Sequence, residues 1–449
     1  MSKITVDFQK PVGPMKPMHA VNNGPIHKFG THQRISNLDA FIEAGIPYAR
    51  NHDASFNATY GGNHTVDVNF IFTNWDADPT DPASYDFACT DYYMKVHEAA
   101  GLKPFYRLGT RIEHEVKKYN TLPPKDFKKW AVICEHIIRH YNEGWADGMH
   151  MGIEYWEIWN EASSEEDDAE PIKKCSWGGT AAEFYELFRV AYTHLKEKFP
   201  HLKIGGPSVN TLFHRGKWVD GYFEALGDLR PDFFSWHCYG ADIPKMKKAI
   251  HLAKDFIDRW GHTGVESILN EWNYIKAWDG DGFVESLRTI KRLKGAAFVS
   301  ATMLMSQYEP VDMLMYYDAR PSAYNCLFST DMVCDKLKGY YPFYMFNQLY
   351  KQKTAVAVGS DDEDVYVAAA AGDEQAVMIT YYSDNDDMPE KQVTVALDGT
   401  AAGSRLEVYL LDERYNADLV RKEPVTDEAH TLTLRMPLHA TALVKIVKE

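Results

Sequence analysis

The chain has 449 residues, 45% of them hydrophobic, 25% charged and 13% aromatic, with a formal net charge of −16. This composition excludes a disordered or fibrous chain and leaves room for a barrel of roughly 250 to 350 residues plus a smaller domain. An acidic balance with no run of Lys or Arg repels a phosphate backbone or an anionic membrane, so neither nucleic acid nor membrane is an expected partner.

The start, Met1-Ser-Lys-Ile-Thr-Val-Asp-Phe, lacks the apolar stretch of a secretory signal, and no window of about 18 uncharged apolar residues occurs. The expected location is therefore the cytoplasm. The cysteines at 89, 134, 175, 238, 326 and 334 form no CxxC pair, and reduced thiols are expected.

From about residue 15 to 350, short apolar runs alternate with amphipathic segments, the rhythm of a parallel sheet with crossover helices. Eight strands are predicted near 16–21, 46–52, 103–109, 154–160, 202–207, 233–239, 267–273 and 312–317, and that number favours a closed (β/α)8 TIM barrel over an open sheet. Between the third and fourth, Phe127, Trp130, Ala131, Cys134, Ile137, Ile138 and Tyr141 trace one helical stripe. Between the fourth and fifth, Thr180-Ala-Ala-Glu183 is a capping box that opens a helix burying Phe184, Leu187, Phe188, Ala191, Tyr192 and Leu195. Past Lys353 the pattern changes to period two, as in Val393/Val395/Leu397 and Leu432/Leu434/Met436, which predicts an antiparallel β-sandwich. Ile4–Phe8 precedes the barrel and is positioned to pair into it. The expected domains are thus a barrel over 12–352 and a sandwich over 353–449 joined by the strand in 1–11.

Two segments concentrate chemistry. Tyr155-Trp-Glu-Ile-Trp-Asn-Glu161 closes the fourth predicted strand and Ile268-Leu-Asn-Glu-Trp-Asn-Tyr274 the seventh, so each sets a Glu where a barrel strand passes into its loop. Barrel enzymes draw their catalytic groups from these C-terminal ends, which lets two carboxylates distant in sequence share one pocket. A carboxylate pair is what glycosidic cleavage by double displacement requires: one protonates the leaving oxygen and the other attacks the anomeric carbon. Trp159 and Trp272 are candidate walls that would desolvate the acid and raise its pKa. By strand parity Glu157, Trp159 and Glu161 share one face, and Glu157 is read as a structural partner of Arg50.

The Trp-Asn-Glu of strand four, the Glu of strand seven and the β-sandwich resemble the clan A glycoside hydrolases, and in particular family 39, which includes β-xylosidases and α-L-iduronidases. Ala49-Arg-Asn-His52, Asp76-Ala-Asp-Pro-Thr-Asp-Pro-Ala-Ser-Tyr85, Pro104-Phe-Tyr-Arg-Leu-Gly109 and Trp236-His-Cys-Tyr239 fit the same pattern, so the likeness covers most of the barrel. It implies Glu161 as acid/base, Glu271 as nucleophile, Asn160 on the sugar 2-hydroxyl, Tyr239 donating to Glu271 with His237 nearby, Arg50 supporting the nucleophile and His52 on the sugar. Trp272 is expected to contact substrate. Strand eight departs from the clan: Met315-Tyr-Tyr-Asp318 stands where a Trp floor is common, making Tyr316 or Tyr317 the expected replacement.

Arg107, Arg111 and Arg320 lie on or after strands three and eight; structural pairing is expected for them, with one of the three clamping a uronate carboxylate as the sharper alternative and Arg107 counted among the substrate-binding residues. The acidic run Ser163–Glu170 is expected on a solvated loop at the cleft rim. His19, His27, His32 and His64 show no ligand spacing, so no metal is expected, nor any cofactor. The expected function is exo-acting, β-xylosidase-like retaining hydrolysis of a carbohydrate. Uronidase, arabinosidase or endo-glycanase action, a non-catalytic carbohydrate-binding barrel and a metal-dependent hydrolase are the alternatives. A homo-oligomer is the expected assembly, since many glycosidases of this build associate.

Overall fold

The computed structural model describes residues 2–29, 35–57, 61–331 and 333–448; His32 lies outside them. The predicted eight strands form a closed barrel, hydrogen-bonded in chain order: Ala20–Asn22, Tyr48–Arg50, Lys103–Leu108, Tyr155–Ile158, Lys203–Val209, Phe233–Gly240, Glu266–Tyr274 and Met313–Tyr316. All neighbours are parallel, including the closing pair, where Met315 lies opposite Ala20. One end of the barrel is plugged by Ala20, Phe105, Tyr155, Phe233, Ile268, Met313 and Met315, so the interior is a packed core and not a pore. Above that apolar layer every inward position named below is polar.

A helix follows each strand. Phe127–Glu143 is capped by the Asp126 carboxylate, which accepts the Lys128 and Lys129 N–H groups, and it ends where Gly144 turns left-handed at φ 75°. Ala181–Lys198 opens with the capping box read from the sequence, both reciprocal bonds being formed. Leu293–Ser306 is apolar on nearly every face because it lies between the barrel and a second domain.

That domain is one nine-stranded sheet built from 2–14 and 354–447. Its strand order is Asn416–Val425, Ser404–Leu411, Thr441–Val447, Gln375–Tyr381, Val365–Ala371, Thr354–Ser360, Ser2–Pro14, Lys391–Asp398 and Ala429–Met436. Residues from both ends, such as Val408 and Leu432, share a single apolar cluster, so the sheet curls over its own core instead of separating into two hydrogen-bonded sheets. The N-terminal strand joins the two halves: Ile4 faces Ser360 antiparallel on one side and Val395 parallel on the other. The expected all-antiparallel pattern therefore contains one parallel pair, a consequence of inserting the first strand of the chain among the last ones.

Contacts at the C-terminal ends of barrel strands tie this domain to the barrel. The Tyr274 hydroxyl donates to Asp384 at 2.7 Å, and the Tyr382 hydroxyl donates to the Ala241 carbonyl at 2.5 Å. Among the described residues no helix is long and apolar enough to cross a membrane, and no disulfide joins the six cysteines.

Candidate active site

At the C-terminal ends of the strands lies a cavity of about 790 Å³ lined by His52, Asp53, His64, Arg111, Glu161, Asn210, Tyr239, Glu271, Trp278, Tyr317 and Arg320 among others. Both predicted glutamates reach it, and their approach depends on two breaks in strand regularity.

The fourth strand ends at Ile158, after which Trp159 (φ 71°) and Glu161 (φ 52°) adopt left-handed backbone. Strand parity therefore stops: Glu157 and Glu161 point inward while Trp159 turns away, with its indole N–H donating to the Ser176 carbonyl and its ring against Trp130 and Trp177. In the seventh strand the register with both neighbours shifts between Leu269 and the next paired residue. Such a bulge re-aims side chains, and here Asn270 and Glu271 both face the interior. Trp272 is thrown outward onto Phe298 and Tyr316 and is fully buried. Neither tryptophan lines the cavity, which corrects the expectation that Trp159 walls it and that Trp272 contacts substrate.

Arg50 organises the floor from the second strand. Its Nε donates to Glu157 at 2.7 Å, Nη1 to Asn22 at 3.0 Å and Glu271 at 2.8 Å, and Nη2 to Asn160 at 2.6 Å and Ser208 at 3.0 Å. A buried guanidinium with its donors so used is a fixed positive charge. Glu157 is held on its other oxygen by Ser235 and Asn270, both at 2.6 Å, which makes it a structural counter-ion.

The sixth strand supplies the remaining partners. The Tyr239 hydroxyl donates to Glu271 at 2.8 Å. His237 Nδ1 lies 2.7 Å from Glu161 and 3.5 Å from Glu271, while its Nε2 meets the Ser208 hydroxyl at 2.7 Å. Burial lowers the His237 pKa to about 4, so the ring is neutral and bridges the carboxylates from below. At 1% exposure it does not line the cavity, so its expected place among the sugar contacts becomes one behind the carboxylates. Ser208, which the sequence reading passed over, joins Arg50, His237 and Asn160. The strand carrying it packs so closely that a Cβ on Gly205 would meet the Phe233 carbonyl at 2.4 Å.

The two glutamates differ electrostatically. Burial raises Glu161 to about 7, opposed only in part by the Ser164 hydroxyl and the charge of Arg50. Burial also raises Glu271, but Arg50 binds it directly and the Tyr239 hydroxyl adds a second bond. The pair is therefore asymmetric: Glu271 has a directly bound cation and, among the described residues, Glu161 has none. One ligand atom from each of Glu161, His237 and Glu271 lies within 4.8 Å of the others, so the same three side chains also form a potential metal-binding set.

The other candidates divide. His52 lines the cavity, with Nε2 at 4.0 Å from Glu271. Asn160, 1% exposed and outside the cavity lining, has Nδ2 buried without a partner while its Oδ1 is held by Arg50. Tyr317 lines the cavity and donates to Asp53 at 2.5 Å, whereas Tyr316 is buried against Trp272 and Phe343, so the strand-eight ring at the site is Tyr317. Arg107 does not reach the cavity: fully buried, it pairs with Asp67 at 2.6 Å and donates to the His52 carbonyl, which removes it as a uronate clamp. The acidic run is only partly solvated. Ser163 Oγ accepts the Asn210 N–H, Ser164 donates to Glu161 at 3.3 Å, Glu165 accepts the Cys175 N–H, and Glu166 pairs with Arg215. Asp53, His64, Asn210 and Trp278 line the cavity without having been singled out as site residues. Asp53 directly follows the quoted Arg50-Asn-His52, the one signal that could have found it; Trp278, 57% exposed, lies in a loop with no periodicity to read.

Residues 62–251 match the model of the family described as "Glycosyl hydrolases family 39". That stretch contains Glu161 and stops short of Glu271. Over 275 residues the chain is 24% identical to a β-xylosidase of Caldicellulosiruptor saccharolyticus, a match covering 56% of this chain and 50% of that one; the chain thus spans half the length of that curated relative. In shape it is similar to a glucosidase from Croceicoccus marinus (TM-score 0.81, 20% identity, 100% of this chain and 99% of that one). It is also similar to the GH39 enzyme from Xanthomonas axonopodis pv. citri (TM-score 0.72, 15% identity, 100% and 97%). These matches bear out the likeness to family 39 read from the strand-four and strand-seven motifs, and the two structures share this chain's fold.

Proposed function

We propose that the protein is a retaining glycoside hydrolase in which Glu271 attacks the anomeric carbon and Glu161 serves first as acid and then as base. The observation that carries the reading is the approach of the two carboxylates, with oxygens within 4.8 Å of one another across a solvent-accessible cavity. Double displacement needs carboxyl groups roughly 5 to 5.5 Å apart, whereas inversion needs about 6.5 to 9.5 Å to admit a water. The division of roles follows from charge. Arg50 and Tyr239 hold Glu271 as the anion that attacks, and burial keeps Glu161 protonated until it delivers its proton to the leaving oxygen. Once the glycosyl-enzyme forms on Glu271, Glu161 is the anion that deprotonates water. Asn160 is read from the family likeness as the partner of the sugar 2-hydroxyl, a role its partnerless Nδ2 supports.

The substrate read from the likeness is a β-xyloside cleaved from its end, and the β-xylosidase relative supports it. Hydrolysis of nitrophenyl β-xyloside, β-glucoside, β-galactoside, α-arabinosides and uronides, with Glu271→Ala as control, tests the reading. A product formed by the wild type and lost in the variant supports it; inertness toward every substrate removes the exo-acting xylosidase.

One observation favours a second reading, a metal-assisted hydrolase: the Glu161–His237–Glu271 set. Against it, the His237 nitrogen in that set is engaged by Glu161, and Arg50 already supplies positive charge to Glu271. Activity abolished by a chelator and restored by a divalent ion would select the metal reading.

A further inference from the structure

Beyond the carboxylate pair, the cavity has a second polar corner that the double-displacement chemistry does not use. Asp53 follows the second strand, is 9% exposed and lines the same cavity. Its backbone is pinned: the N–H donates to the Asn23 side chain at 3.0 Å and the carbonyl accepts Arg320 at 3.0 Å. Its Oδ2 accepts the Tyr317 hydroxyl at 2.5 Å. Its Oδ1 faces His52 Nε2 at 3.8 Å and His64 Nδ1 at 3.6 Å, both too long for a hydrogen bond. His64 Nδ1 and His52 Nδ1 are buried without partners. A carboxylate oxygen and two imidazoles therefore face one another across gaps that a ligand oxygen can bridge.

The place of this corner relates it to the sugar. His52 Nε2 is also 4.0 Å from Glu271, so Asp53 and the nucleophile both face the same imidazole nitrogen, which sets Asp53 beside the sugar-cleaving pair. A hydroxyl group suits the gap: it donates to the carboxylate and accepts from an imidazole N–H, and two adjacent hydroxyls satisfy both rings. The charge of the corner is equally specific. Burial lowers the pKa of both His52 and His64, leaving the rings neutral. Arg320 faces two carboxylates, Asp318 at 3.3 Å and Asp53 at 3.8 Å, so its charge is spent inside the protein and the corner is net negative.

We propose, on the basis of the glycosidase reading above, that Asp53 determines glycone specificity by accepting a hydrogen bond from a sugar hydroxyl remote from the cleaved bond and by repelling glycones that carry a carboxylate. Arg320 and Tyr317 hold Asp53 in place, and His52 and His64 complete the contact with the hydroxyl pair. The corner thus selects a neutral glycone and discriminates against the uronides that the cleft arginines would otherwise invite.

The test is steady-state kinetics of the wild type and Asp53→Asn on nitrophenyl glycosides of the active sugar, its 3- and 4-monodeoxy analogues and the matching uronide, with melting temperatures measured alongside. The wild type should lose about 10- to 100-fold in kcat/KM on at least one deoxy analogue, as expected for a hydrogen bond to a charged group. In Asp53→Asn that penalty should shrink by about tenfold, and the ratio of uronide to neutral activity should rise by a similar factor. Deoxy penalties and a uronide ratio indifferent to the substitution would overturn the proposal. If Asp53→Asn melts below the assay temperature, the wild-type series decides: no penalty at either position overturns the proposal. Failure of the wild type on every neutral and charged glycoside would instead overturn the activity reading and this proposal with it, which keeps the two failures distinct.

Discussion

Arg50 donates to Glu271 at 2.8 Å, whereas among the described residues no lysine or arginine forms an ion pair with Glu161. That asymmetry supports the proposed division of roles, because of two buried carboxyl groups so close together the one without a cation is the better proton holder. The pH profile of kcat/KM should be bell-shaped, with the alkaline limb set near pH 7 by loss of the Glu161 proton. Glu161→Gln assayed on a dinitrophenyl glycoside, which needs little protonation, should lose that limb; an unchanged limb contradicts the assignment.

The same proton gives a stability prediction. The folded-state pKa of Glu161 is raised from 4.5 to about 7, so the stability this group contributes is fully present below pH 4.5 and is lost as pH rises through about 7. The loss is on the order of 3 kcal/mol. Glu161→Gln, which cannot ionise, should melt higher than the wild type at pH 8 and nearly level with it at pH 4.5. Equal differences at both pH values would show that Glu161 is not a strained acid.

Leaving-group dependence separates the two glutamates. Glu161→Ala should retain most turnover on dinitrophenyl glycosides and lose it on alkyl glycosides, while Glu271→Ala should lose both and recover turnover with azide as the external nucleophile. Equal losses on both substrate types in Glu161→Ala would remove it as the acid.

Arg50 is the hub of the buried polar layer, and removing it leaves Glu157 and Glu271 as uncompensated buried charges. Arg50→Met should cost about 3 to 5 kcal/mol in denaturant unfolding and abolish activity. Arg50→Lys should restore little, since an ammonium cannot serve Glu157, Asn22, Glu271, Asn160 and Ser208 together.

The tryptophans provide a contrast. Trp272 is packed outside the barrel wall, so Trp272→Ala should destabilise by about 3 to 5 kcal/mol. Trp278 is 57% exposed and stands edge-on to Tyr239 at the cavity mouth, so Trp278→Ala should leave melting nearly unchanged and raise KM by about tenfold as an apolar sugar contact is lost. A KM change confined to the Trp272 variant would reverse the placement of the two rings.

The barrel was legible because its strands are short apolar runs whose burial needs no knowledge of partners, and the helix bounded by Thr180 and Glu183 because a capping box is local chemistry. Glu161 and Glu271 were legible as strand-end residues, but the faces of their neighbours were not. Parity fails at the left-handed Trp159 and at the bulge beside Glu271, and neither feature has a sequence signature in an otherwise regular run. Structural pairing was expected for Arg107, but its partner Asp67 was not legible because it lies between strands, distant from any strand pattern. Asp53, Ser208 and Trp278 acquire meaning only when loops from different strands converge, which periodicity within one segment does not encode. The sandwich was legible from period-two alternation, but its hydrogen bonding as one continuous sheet was not, because alternation reports which residues face inward and is silent about which strands share hydrogen bonds.

The central claim is the division of labour between Glu271 and Glu161, and trapping the glycosyl-enzyme tests it most directly. The wild type should be inactivated by a 2-deoxy-2-fluoro glycoside of its substrate sugar carrying a dinitrophenyl leaving group, and peptide mass mapping should place one glycosyl adduct on Glu271. An adduct on Glu161, or steady turnover to a product of inverted configuration with no adduct, would contradict the account.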